Sequence, residues 1–137
     1  RQLVGVDLST EMLKRAKERD IYDELVEDEI SACFCSRPKA FDLIVAADVF
    51  CYIGDLSATL MAAAVALRPG GHLVFSVESQ AKRGFSLTSS GRYAHKPAYV
   101  RKAATASGFL EVKSIEDSLR TEYGEPVRGH ITLLERL

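Results

Sequence analysis

Charge of one sign, long apolar runs and cysteine are all scarce in this chain. Its 18 Lys and Arg stand against 19 Asp and Glu, a formal net charge of −1, and the two signs are mixed along its length. That balance argues against a dedicated nucleic-acid surface or anionic-membrane surface. No apolar run approaches the roughly 20 residues that cross a bilayer, so no membrane association is expected. The cysteines are Cys33, Cys35 and Cys51, an odd count without a disulfide framework. A reducing compartment, the cytoplasm, is the expectation. Cys33 and Cys35 have no neighbouring His to complete a four-ligand set, so no metal site is expected.

What is present begins with Leu3-Val4-Gly5-Val6-Asp7-Leu8-Ser9, a short apolar strand ending in a carboxylate. An acid at the tip of a buried α/β strand, with a helix starting two residues later, suits holding the vicinal hydroxyls of a ribose. Sheets that bind nucleotides place a glycine-rich strand-to-helix turn about 20 residues before such an acid. Here six residues precede Asp7, and the first of them is Arg. The expectation is a chain that starts after its own glycine loop, the C-terminal portion of a longer protein.

At 137 residues with 47% hydrophobic content, the chain is expected to form one domain over 1–137. Ser9 or Thr10 caps a helix that carries Glu11 in its first turn and fades near Asp20. Leu25-Val26 forms a second strand ending in acids, and 30–38 is irregular or weakly helical. Phe41 to Ala47 reads as a strand buried on both faces, as in a parallel sheet. Asp55 caps a helix whose stripe is Leu56, Leu60, Ala63, Ala64 and Leu67, and Pro69-Gly70-Gly71 stops it. His72 to Val77 is a strand, 79–96 a long loop, and Pro97 opens a helix that Gly108 ends. Phe109–Ile115 and Gly129–Leu134 are the last strands, joined by 116–128 and paired antiparallel. The alternation predicts a mostly parallel, doubly wound Rossmann-like α/β sheet with helices on both faces.

Three segments together resemble the class I S-adenosylmethionine-dependent methyltransferases: Val4-Gly5-Val6-Asp7-Leu8-Ser9, Phe41 through Val49, and Leu67-Arg68-Pro69-Gly70-Gly71-His72-Leu73. They resemble that family's ribose-binding strand, its fourth strand beside the sulfonium, and the turn before its fifth strand. The run Val49 to Leu56 and the run Arg92 to His95 are similar to those of small bacterial members associated with tetratricopeptide proteins. The resemblance covers essentially the whole chain, with the family's first, central strand and its Gly-x-Gly turn absent. The missing strand implies an unfilled slot, which the corresponding part of a longer parent protein would fill or a homo-oligomer would close.

The resemblance implies S-adenosylmethionine as cofactor. Asp7 would take the ribose hydroxyls, Leu8 and Met12 would line the adenine, and Asp28 or Glu29 would accept from its amino group. Ala46, Ala47 and Asp48 would face the methyl donor. Tyr52, Arg92, Tyr93, His95 and Tyr99 lie where family members recognise substrate. Tyr52 and His95 are the candidates for catalysis, His95 as a general base. The implied reaction is methyl transfer to a small molecule by the intact parent protein, the fragment alone being inactive. Two alternatives stand beside it: a catalytically inactive binding or assembly module that lacks the cofactor loop, and a nicotinamide-dependent Rossmann enzyme.

Overall fold

The computed structural model describes residues 1–137. Ser9 Oγ accepts the Met12 N–H at 3.3 Å and starts α1 (Thr10–Glu18), which lies between β1 (Val4–Asp7) and β2 (Glu24–Glu27). These two strands pair in parallel and form a sheet of their own. None of residues 1–32 is buried.

The second sheet has six strands: β3 (Phe41–Ala46), β4 (Leu67–Ser79), β5 (Phe85–Leu87), β6 (Tyr93–His95), β7 (Phe109–Glu122) and β8 (Glu125–Arg136). β4 is its axis. One edge of β4 pairs antiparallel with β8; the other pairs in parallel first with β3 and then, at Glu78 and Ser79, with β6. β1–β2 and the six-stranded sheet share no ladder. An α/β layering with parallel pairs and an antiparallel C-terminal pair is therefore observed, with the sheet in two pieces.

The core forms where α2 (Ile30–Cys35), α3 (Ser57–Ala66) and α4 (Pro97–Ala106) pack against one another and the six-stranded sheet. Leu56, Leu60, Ala63, Ala64 and Leu67 are all buried, but α3 ends at Ala66, so Leu67 opens β4 and Pro69-Gly70-Gly71 lies within that strand instead of stopping the helix. From the sheet come Ile44, Ala46, Leu73, Phe75, Val77 and Leu134, and the rings of Phe50 and Phe75 lie 4.9 Å apart. Burying such side chains contributes about 1.5–3 kcal/mol each.

Four sequence expectations need correction. β3 is buried on one face only: Leu43 is 56% exposed and Val45 63%, because no helix packs over that side. Residues 30–38 contain a true helix, α2, since both Glu29 carboxylate oxygens accept its free N–H groups, from Ser31 and Ala32 at 2.9 Å each. The long loop 79–96 contains the hairpin β5–β6. The connection 116–128 is the outer half of a long hairpin, and β7 and β8 meet at Tyr123-Gly124. Both of those residues have positive φ (51° and 79°), the geometry of a two-residue turn that matches strand twist.

Candidate functional site

Parallel strands end in loops that share one rim, and the acids predicted for binding lie there. Asp7 and Asp28 follow neighbouring strands, and the Asp28 N–H donates to the Asp7 carbonyl at 3.2 Å. Each uses one carboxylate oxygen locally: Asp7 Oδ1 accepts from Ser9 N and Asp28 Oδ1 from Glu29 N, both at 2.8 Å. Oδ2 of each has no protein partner among the hydrogen bonds of the fold. Glu29 differs. The N–H groups of Ser31 and Ala32 hold its carboxyl below the usual range and occupy both oxygens. The free acceptor beside Asp7 is thus Asp28. Leu8 and Met12, which follow Asp7 in the chain, are uncovered apolar side chains, 69% and 51% exposed.

A second group of the predicted residues lies past β3, in the six-stranded sheet. Ala46 is buried, Ala47 exposed, and Asp48 is in the left-handed region at φ 57°. That conformation is costly for a residue with a Cβ and is held by its surroundings. The Asp48 N–H donates to Ser76 Oγ at 3.0 Å, and Asp48 Oδ1 accepts from Arg120 Nη1 at 2.7 Å. Arg120 comes from the far half of β7. Its Nε donates to Glu122 Oε1 at 2.8 Å and its Nη2 to Glu78, which is 7% exposed. Burial opposes the Arg120 charge, yet the carboxylates of Glu122 and Asp48 outweigh it and raise its pKa. Arg120 in turn holds the Glu122 carboxyl low.

Arg92 joins the same group. It pairs with Glu122 through Nη1, reaches Tyr52 Oη at 3.5 Å through Nη2, and lies 5.8 Å from the Tyr52 ring centre. Cys51 is buried against Asp48, with Sγ 3.8 Å from Oδ1, and burial pushes its thiol up. The structure therefore brings Asp48, Tyr52 and Arg92 together, and adds Glu78, Arg120 and Glu122.

Tyr93, His95 and Tyr99 lie apart, around Phe85. His95 is fully buried, contrary to its reading as a general base in a loop. Its Nε2 faces the carbonyls of Ile53 at 3.0 Å and Gly54 at 2.9 Å, and its buried Nδ1 has no partner. Burial lowers its pKa, against the pull of the two carbonyls. The arrangement describes a neutral imidazole fastening the 53–54 loop to β6. Tyr99 Oη is likewise engaged, between Asp55 and the Leu56 N–H.

Do these residues fit S-adenosylmethionine? For the nucleoside end there are two carboxylate oxygens without protein partners, Oδ2 of Asp7 and of Asp28, and the exposed apolar side chains of Leu8 and Met12. Toward the amino-acid end, the glycines of residues 1–69, Gly5 and Gly54, have no positive φ. No group of His, Cys, Asp and Glu is arranged to hold a metal ion.

A family model described as a methyltransferase domain matches residues 1–73. No curated protein matches the chain. Among solved structures, a SAM-dependent methyltransferase from Methanosarcina mazei superposes with a TM-score of 0.79 at 16% identity, over 99% of this chain and 82% of that one. One from Mesorhizobium loti gives 0.75 at 21% identity, covering 98% and 80%. The N-methyltransferase NodS from Bradyrhizobium japonicum, in complex with S-adenosylhomocysteine, gives 0.74 at 21%, covering 98% and 66%.

Proposed function

Given that the chain belongs to the methyltransferase-domain family, we propose that it is the part of an S-adenosylmethionine-dependent methyltransferase that binds the nucleoside and faces a small-molecule acceptor. The observation that carries this reading is the pair Asp7 and Asp28. Two neighbouring parallel strands end in carboxylates with one oxygen each left free. The family match disfavours the nicotinamide alternative. The runs Val49–Leu56 and Arg92–His95 support placing the chain near the small tetratricopeptide-associated members.

When bound, S-adenosylmethionine supplies an electrophilic methyl group on a sulfonium, and displacement at that carbon needs alignment more than acid–base help. Asp7, with Oδ2 free, would accept from the ribose hydroxyls, and Asp28, with Oδ2 free, from the adenine amino group. Leu8 and Met12 would cover the ring and keep water from it. Ala46 and Ala47 are small enough to let an acceptor approach, and Asp48 Oδ2 can take a hydrogen bond from its N–H or O–H. Tyr52 and Arg92 form the acceptor's side of the mouth. His95 takes no proton in this scheme, because both of its nitrogens are enclosed.

A second reading has its own support. The split between the two sheets fits a binding module without catalysis. Calorimetric titration with S-adenosylhomocysteine, on the 137-residue chain and on any longer native form, separates the two. Binding that falls at least tenfold in Asp7→Ala supports the methyltransferase reading. Absence of binding in every form rejects it and leaves the module.

A further inference from the structure

The rim around Asp48 owes its shape to a residue 72 positions away. Each of the three guanidinium nitrogens of Arg120 meets a different carboxylate: Nη1 that of Asp48 after β3, Nη2 that of Glu78 near the end of β4, Nε that of Glu122 on its own strand. Glu122 also accepts from Arg92, whose other amino group reaches Tyr52. The short segment Asp48–Tyr52 is therefore held at both ends, and both restraints converge on Glu122 beside Arg120. The Arg120 side chain is 16% exposed and that of Glu78 9%, so their bond forms largely out of water, where charge-assisted contacts are strong, while Asp48, 51% exposed, meets the same guanidinium from the solvent side.

We propose that Arg120 is a positioning residue of the transfer site: it sets the Asp48–Tyr52 segment against the bound cofactor, and thereby makes the β7–β8 hairpin part of the acceptor wall. The assignment rests on the reading that Asp48 stands beside the transferred methyl. A planar fork is needed for it. Lysine keeps the charge but presents a single ammonium, which cannot address three carboxylates in three directions. Asp48 has one oxygen left once Arg120 has taken Oδ1, and that bond orients the carboxylate.

The test is amide NMR of the chain, and of any longer native form, titrated with S-adenosylhomocysteine. Removing Arg120 alone would strand the buried Glu78 carboxylate, so the main variant is Arg120→Met with Glu78→Gln. In the wild type, the ligand should shift the amide signals of residues 7–12 and of 48–52. In the double variant the first set should still respond and the second should not, with free-state amide exchange at 49–53 at least tenfold faster. Arg120→Lys, which folds with its charge retained, should show the same tenfold acceleration. A response at 48–52 that survives in the double variant, or exchange unchanged in Arg120→Lys, overturns the assignment alone. So does wild-type binding that leaves 48–52 unmoved. No binding by any form overturns the methyltransferase reading, and this assignment with it.

Discussion

The Tyr99 hydroxyl donates to Asp55 Oδ1 at 2.9 Å and accepts the Leu56 N–H at 3.0 Å, joining the first turn of α4 to the start of α3. Asp55 Oδ1 also accepts from Ser57 N at 2.9 Å, so the acid caps α3 from two positions before its first residue. Those donors hold the Asp55 carboxyl low, the Ser57 N–H foremost, while burial pushes the Tyr99 phenol up. Tyr99→Phe leaves the Leu56 N–H without its acceptor and should lower unfolding free energy by about 1 kcal/mol in urea titration. An unchanged midpoint would show that water replaces the hydroxyl.

His95 makes stability depend on pH from the acid side. Its folded pKa is depressed by burial below the ordinary value of 6.5. The unfolded chain therefore binds the proton first, and the His95 contribution is complete above about pH 6.5 and declines as pH falls below it. Melting temperatures measured from about pH 8 down to 5 should fall at the acid end. His95→Gln, which keeps a donor for the Ile53 and Gly54 carbonyls and cannot titrate, should flatten that part of the curve. Parallel curves for the two proteins would contradict the assignment.

Asp28 and Glu29 separate by what they lose. Glu29→Ala removes the cap of α2 and should cost about 1 kcal/mol of stability, with affinity for S-adenosylhomocysteine kept. The contribution of Glu29 should also fade as pH drops below about 4.5, because its folded pKa is lowered. Asp28→Asn should do the reverse, weakening the ligand severalfold with little change in the denaturation midpoint. The same affinity loss in both variants would refute the division of labour.

Gly129 allows a close crossing. A Cβ at that position would run into the Val77 carbonyl and the Leu119 side chain. Backbone cannot yield as a flexible side chain can, so Gly129→Ala should destabilise by about 1–3 kcal/mol. Calorimetric melting would show it. A neutral result would mean that β8 can shift against β4 without loss.

The elements legible in the sequence are those with a core-facing rhythm. α3 announced itself by Leu60, Ala63 and Ala64, α4 by Pro97 and Gly108, and Asp7, Asp28 and Asp48 by following apolar runs. Helix α2 was obscured because it has six residues and is capped by Glu29, not a Ser or Asp. The outer half of β7–β8 reads as polar because Glu116, Asp117 and Ser118 meet solvent there. The Tyr123-Gly124 pair between two alternating runs was the available sign of a hairpin. Arg120 carried no local signal at all: its partners Glu78 and Asp48 are 42 and 72 residues away, and only the register of the sheet joins them. The exposure of Leu43 and Val45 could not be read from their own segment either, since apolar runs do not say which neighbours exist.

The absence of any buried residue among the first 32 has a thermodynamic meaning. Regions that bury little open at lower free energy than the core they adjoin, as cooperative units of their own. The unit made of β1, α1 and β2 should then melt ahead of the six-stranded body. Asp7, Leu8, Met12 and Asp28 all belong to it or border it. A nucleoside taken up there would have to order the loosest part of the molecule, so its measured affinity would be lowered by that ordering. It would in return raise the melting point of this unit far more than that of the rest.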